Sequence, residues 1–134
     1  MSAALSDEQA IRDLIANWLR ATAAGDVDAV LPLMAEDVVF LIPGQPPMRG
    51  REAFAAGLRG ALPHFQIEGT SDIQEIQAFG NIAYCWNHLT VTMTPRAGNQ
   101  PAMRHGRDIL SIFRKESARN WVLCRDANLL TEEK

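Results

Sequence analysis

"IAYCWNHLTVTMT", residues 82–94, decides the fold. It is rich in aromatic and β-branched side chains and carries no helical period, so it reads as one long strand. Upstream of it the pattern is different. Ile11, Leu14, Ile15, Trp18 and Leu19 recur at helical spacing and make a single apolar stripe. Ser6 with Gln9 forms a capping box for this helix, and Gly25 stops it. Asp26 can cap a second, shorter helix through about Met34, which Pro32 should distort or shorten. "VVFLI", Val38–Ile42, is a buried strand, and "PGQPPMRG" after it is a loop. Arg51–Leu62 reads as a third helix with Phe54, Leu58 and Leu62 inward, and Gly57 and Gly60 hint at close packing along it.

Beyond Pro63 the helical period is gone. Phe65–Ala78 is a mostly polar strand, followed by Ile82–Thr94, Met103–Lys115 and Asn120–Asn128. The hairpin loop Pro95–Pro101 and the turn "ESAR", residues 116–119, join them. Helices first and strands later imply an α+β fold, with the helices on one face of an antiparallel sheet. Four consecutive long strands curl because of their native twist. A curled sheet with three N-terminal helices in its concave face makes a cone, and such a cone leaves an apolar pocket inside.

The chain has 134 residues, so a single domain spanning 1–134 is expected. Hydrophobic residues make up 47% and charged residues 22%, enough apolar material for a core without disulfides or metals. A net charge of −3 and the absence of long like-charge runs argue against a nucleic-acid surface. The two cysteines, Cys85 and Cys124, lie in strands and read as small buried hydrophobes rather than redox groups. "MSAALSDEQ" lacks the apolar run and basic flanks of a secretory signal. No segment approaches the ~20 apolar residues that cross a bilayer. The expected protein is cytoplasmic, with reduced cysteines and no membrane contact.

"AIRDLIANWLRATAAGDVDAVLPLMAEDVVFLIPG", residues 10–44, with "MRGREAF", 48–54, and "GRDILSIFRKESARNWVLCRDANLL", 106–130, resembles the nuclear transport factor 2-like superfamily in its SnoaL-like bacterial branch. The resemblance covers nearly the whole chain. It implies a cone-shaped barrel of a curved antiparallel sheet with an internal cavity, and a homodimer formed through the outer face of that sheet. It does not fix an activity, because the superfamily includes isomerases, dehydratases, epoxide hydrolases, cyclases and non-catalytic association domains. The ketosteroid isomerase branch places a carboxylate base at the end of its first strand, where this chain has "VVFLIPG". That branch also puts a tyrosine donor on a helix, whereas the one tyrosine here, Tyr84, is in a strand. The epoxide hydrolase branch needs two aspartates with an arginine between them, and Arg107 with Asp126 supplies half of that set.

Side chains on a strand alternate between faces. In the long strand Tyr84, Trp86, His88 and Thr90 share one face, and Ala83, Cys85, Asn87 and Leu89 share the other. Both sets are substantially apolar, so alternation alone does not select the inner one. The expectation adopted is that Trp86, His88, Arg107, Asp126 and Asn128 face the cavity, with Trp18, Met34 and Phe40 as apolar wall. An Arg107–Asp126 ion pair across neighbouring strands, with His88 in reach as a titratable group, would make an acid–base set. The competing reading is that Arg107 and Asp126 only neutralise each other inside the cone. The three histidines lack metal-ligand spacing, so no metal and no cofactor are expected. Asp37 reads as an acid that ties down loop backbone donors. The ligand expected is a small, largely apolar molecule.

Overall fold

The computed structural model describes residues 3–117 and 120–130. The first helix, α1 (Ala3–Ala24), begins upstream of Ser6, so the expected capping box does not form. Gln9 instead donates to Asp13 Oδ1 at 2.9 Å. The stripe is as expected: Ile11 is fully buried and Leu14 nearly so. Gly25 ends the helix at φ 73°, a left-handed conformation that favours glycine. Asp26 then caps α2 (Val27–Val30), its Oδ1 accepting from the Ala29 N–H at 3.2 Å. Pro32 is the reason α2 stops so early. Leu31–Leu33 tighten into one 3-10 turn, and Met34 is already extended.

Strand β1 (Met34–Leu41) follows, then a two-residue strand β2 (Met48–Arg49) inside the Pro-rich loop, and α3 (Arg51–Ala61). Gly57 and Gly60 have open space where a Cβ would sit, so the close packing expected there is absent. The long strands are β3 (Phe65–Phe79), β4 (Ile82–Pro95), β5 (Met103–Ser117) and β6 (Asn120–Asn128). The expected turn at residues 116–119 falls partly outside the described residues. No helix among the described residues is long and apolar enough to cross a membrane.

All six strands form one curved, unclosed sheet in the order β2-β1-β6-β5-β4-β3. The meander is antiparallel as expected, but β1 joins β6 in parallel, with Phe40 opposite Asp126. Helix α1 lies across β3 so closely that a Cβ on Gly69 would sit 2.9 Å from Leu19 Cδ2. The main core fills the concave side, with Ile11, Val30, Met34, Val38 and Phe113 among its fully buried members.

Register breaks bend the sheet and reset its alternation. In β6 the partner of Ile112 is Arg125 and the partner of Phe113 is Leu123, so Cys124 is an extra residue. Leu123 and Asp126 therefore both face the helices, although alternation would separate them. Cys124 packs with Val122 and Ala35 in a smaller cluster. Cys124 is thus out of phase with Asp126 and Asn128, with which strict alternation along the strand would align it. Both thiols are buried, and burial pushes Cys85 up to about 11 and also raises Cys124. Neither is expected to react with a bulky maleimide in the native protein. Labelling within minutes, without denaturant, would show that the sheet opens at these positions.

Candidate functional site: a cavity with one carboxylate

A cavity of about 350 Å³ lies between the helices and the concave face of the sheet. From α1 it takes Leu14, Ile15, Trp18 and Leu19; from α3, Phe54 and Leu58; from β1, Phe40. The sheet floor supplies Leu89, Val91, Ile109 and Phe113 among others. Three aromatic rings gather in this wall. Trp18 meets Phe54 edge-on at 5.4 Å and Phe40 at 6.4 Å, while Phe40 and Phe54 stack at 4.8 Å.

The described chain has three buried polar side chains, Asn87, Ser111 and Asp126, and all three line this cavity. Ser111 Oγ donates to Asp126 Oδ1 at 2.6 Å. Register sets this bond, because Ser111 on β5 is directly opposite Asp126 on β6. Ser71 Oγ donates to Asn87 Oδ1 at 3.0 Å, and the Leu130 N–H donates to Asn128 Oδ1 at 2.7 Å. Each amide is thereby held with its oxygen occupied. Burial raises Asp126 to about 6, only partly offset by the Ser111 hydroxyl. A carboxyl with that pKa can take up or release a proton near neutrality, which is what an acid–base group must do.

The structure sorts the residues expected at the site. Trp18, Phe40, Asp126 and Asn128 line the cavity. Met34 does not: it is 1% exposed and belongs to the core. Trp86 and His88 are corrected to the outer face. Trp86 is 44% exposed, and its Nε1 donates to Asp108 Oδ1 at 3.0 Å. His88 Nδ1 lies 3.5 Å from the same carboxylate, directly opposite it in register. The Arg107–Asp126 pair does not form. Arg107 is exposed and opposite Leu89, four residues along β5 from Ser111, or roughly 13 Å of strand. Asp37 pairs with the Arg114 side chain at 3.0 Å rather than with loop backbone, and that guanidinium lowers its pKa.

Asn87 and Ser111 are the residues sequence reasoning missed. A signal was present: Asn87 shares its strand face with Ala83, Cys85, Leu89 and Val91, and Ser111 lies between Ile109 and Phe113 on its own face. Among the described residues, no three His, Cys, Asp or Glu side chains gather as a metal site would require.

The model of the SnoaL-like domain matches residues 15–120. A solved structure of a conserved protein from Planctomyces limnophilus DSM 3776 is 37% identical, with a TM-score of 0.90. The match covers 95% of this chain and 98% of that one. A ketosteroid isomerase-like protein from Erwinia carotovora atroseptica SCRI1043 is 20% identical over 94% of this chain and 95% of its own, with a TM-score of 0.76. A nuclear transport factor 2-like superfamily protein from Salmonella enterica serovar Typhimurium LT2 is 17% identical over 96% and 92%, with a TM-score of 0.79. At those lower identities the likeness is one of fold.

Proposed function

The chain belongs to the SnoaL-like family, and on that premise we propose that its cone encloses a small, largely apolar molecule with which Asp126 exchanges a proton. The reaction class is cofactor-free acid–base chemistry of the isomerase, dehydratase or cyclase kind. The observation that carries this reading is the convergence of the buried polar residues Asn87, Ser111 and Asp126 on one apolar cavity. A polar group inside a core is costly unless it is satisfied or used. Here the amide oxygens of Asn87 and Asn128 are occupied, which leaves their N–H groups to meet a developing negative charge beside the carboxyl. The cavity has room for about a dozen non-hydrogen atoms at protein packing density.

A non-catalytic association role has its own support on the outer face. Phe79, Ile82, Trp86 and Leu110 are all at least 44% exposed there. Apolar groups so exposed favour a partner, and a second copy of this chain is the partner proposed.

The test uses cyclohexenone, a neutral ring that fits the cavity, in deuterated water. Wild type is expected to speed exchange of the α-hydrogens at least ~100-fold over Asp126→Asn, the scale of one acid–base group. Equal rates for the two proteins would remove Asp126 from the chemistry. Failure of cyclohexenone to raise the melting temperature at millimolar concentration would remove neutral ketones of this size from the molecules enclosed.

A further inference from the structure

The cavity is acidic without a counter-charge. Asp126 is the only titratable side chain among its described lining residues. Those come from α1, β1, β2, α3, β3, β4, β5 and β6 and from Ile42 and Leu130 beside them. Just behind it, the Cys85 thiol of β4 is opposite Ser111 and stays neutral, being pushed up to about 11. No cation of the described chain pairs with Asp126, whose one recorded hydrogen bond is that from Ser111. Thr22, the remaining hydroxyl in the lining, is turned away and donates to Trp18 O at 2.8 Å. The amide oxygens of Asn87 and Asn128 already accept bonds. The carboxylate is therefore the strongest acceptor inside the cavity.

The aromatic wall adds a second, independent observation. Phe40 is the register partner of Asp126 on the adjacent strand, so the Trp18, Phe40 and Phe54 rings begin beside the carboxylate. Faces of aromatic rings attract cations, more strongly when water is excluded. A carboxylate and clustered rings around one small space make a receptor for positive charge on an apolar body. An anionic ligand would set like charge against the carboxylate, and a neutral one would leave the charge without a counter-ion.

We infer that the molecule enclosed is a compact organic monocation: an apolar, single-ring body of about a dozen non-hydrogen atoms carrying one protonated nitrogen, which pairs with Asp126 against the Trp18–Phe40–Phe54 wall. This rests on the enclosure proposed above and narrows its ligand. The proton shared at the site is then one on nitrogen, and the apolar body fills the space under α1.

The test compares 2-phenylethylamine, charged throughout the range used, with 2-phenylethanol, its neutral counterpart of equal size. Binding of each is measured by titration calorimetry at pH 5.0 and 7.5. The amine is expected to bind at least ~10-fold tighter than the alcohol at pH 7.5. Its affinity should fall about 10-fold at pH 5.0, where only about a tenth of Asp126 is ionised. The alcohol should change little between the two. In Asp126→Asn the amine should lose both its advantage and its pH dependence. An amine no tighter than the alcohol, an amine affinity indifferent to pH, or an advantage that survives in Asp126→Asn would each overturn the inference. If the alcohol binds and the amine does not, the cation is wrong and the enclosure stands. If neither binds, both readings fail.

Discussion

Asp126→Asn is expected to stabilise the protein at pH 7.5 and to change its stability little at pH 4. The carboxyl has a pKa of about 6 in the fold against an ordinary 3.8, because burial disfavours its charged form. Below pH 3.8 it is protonated in both folded and unfolded chains and carries no penalty. As pH rises from about 4 to 6, the unfolded chain ionises first, and the native state falls behind. Above pH 6 the full cost is present, about 3 kcal/mol from a shift of this size. Asparagine has the same shape, keeps an oxygen for the Ser111 hydroxyl and never ionises. Urea unfolding at the two pH values measures the difference. The variant should gain on the order of 3 kcal/mol over wild type at pH 7.5, or roughly 10 °C in melting temperature. A gap between the two proteins that is the same at both pH values would mean that Asp126 is not buried as described. A stabilising change that also removes ligand recognition is the behaviour of a group kept for use rather than for folding.

Met34→Ala tests the border between core and cavity. Met34 is 1% exposed and packs with Ile11, Val30 and Val38, out of reach of the space that Trp18 and Phe40 line. Truncating a fully buried methionine removes its transfer free energy and leaves a void, at a cost of about 2–5 kcal/mol. The denaturation midpoint should fall accordingly, with the slope unchanged. Affinity for a cavity ligand should stay within about twofold of wild type in the folded protein. A variant of normal stability with weakened binding would put Met34 back in the wall.

Most of the fold was legible because its signals are local. The α1 stripe, Gly25, the Asp26 cap and the four long strands each announce themselves within a few residues. The parallel joining of β1 to β6 was not legible, since strands about 85 residues apart carry no mark of their pairing. The site was half legible. Trp18, Phe40, Asp126 and Asn128 stand where expected, but the inner face of β4 was misassigned. Trp86 and His88 were expected to face the pocket, on the face they share with Tyr84. On a concave surface the side chains converge, so the inner face carries Ala83, Cys85 and Asn87, and the bulky rings point outward. The Arg107–Asp126 pair failed for a reason of register. Adjacent strands and opposite charges are not enough when the residues are offset by four positions.

The extra residue at Cys124 decides which charge β6 turns toward the helices. Removing that one amino acid would restore even alternation to β6 and exchange the faces of the residues on one side of the break, turning Asp126 and Asn128 outward and Arg125 inward relative to Leu123. The sign of the charge presented to the helices thus follows from a half-step of strand phase as well as from the residues present.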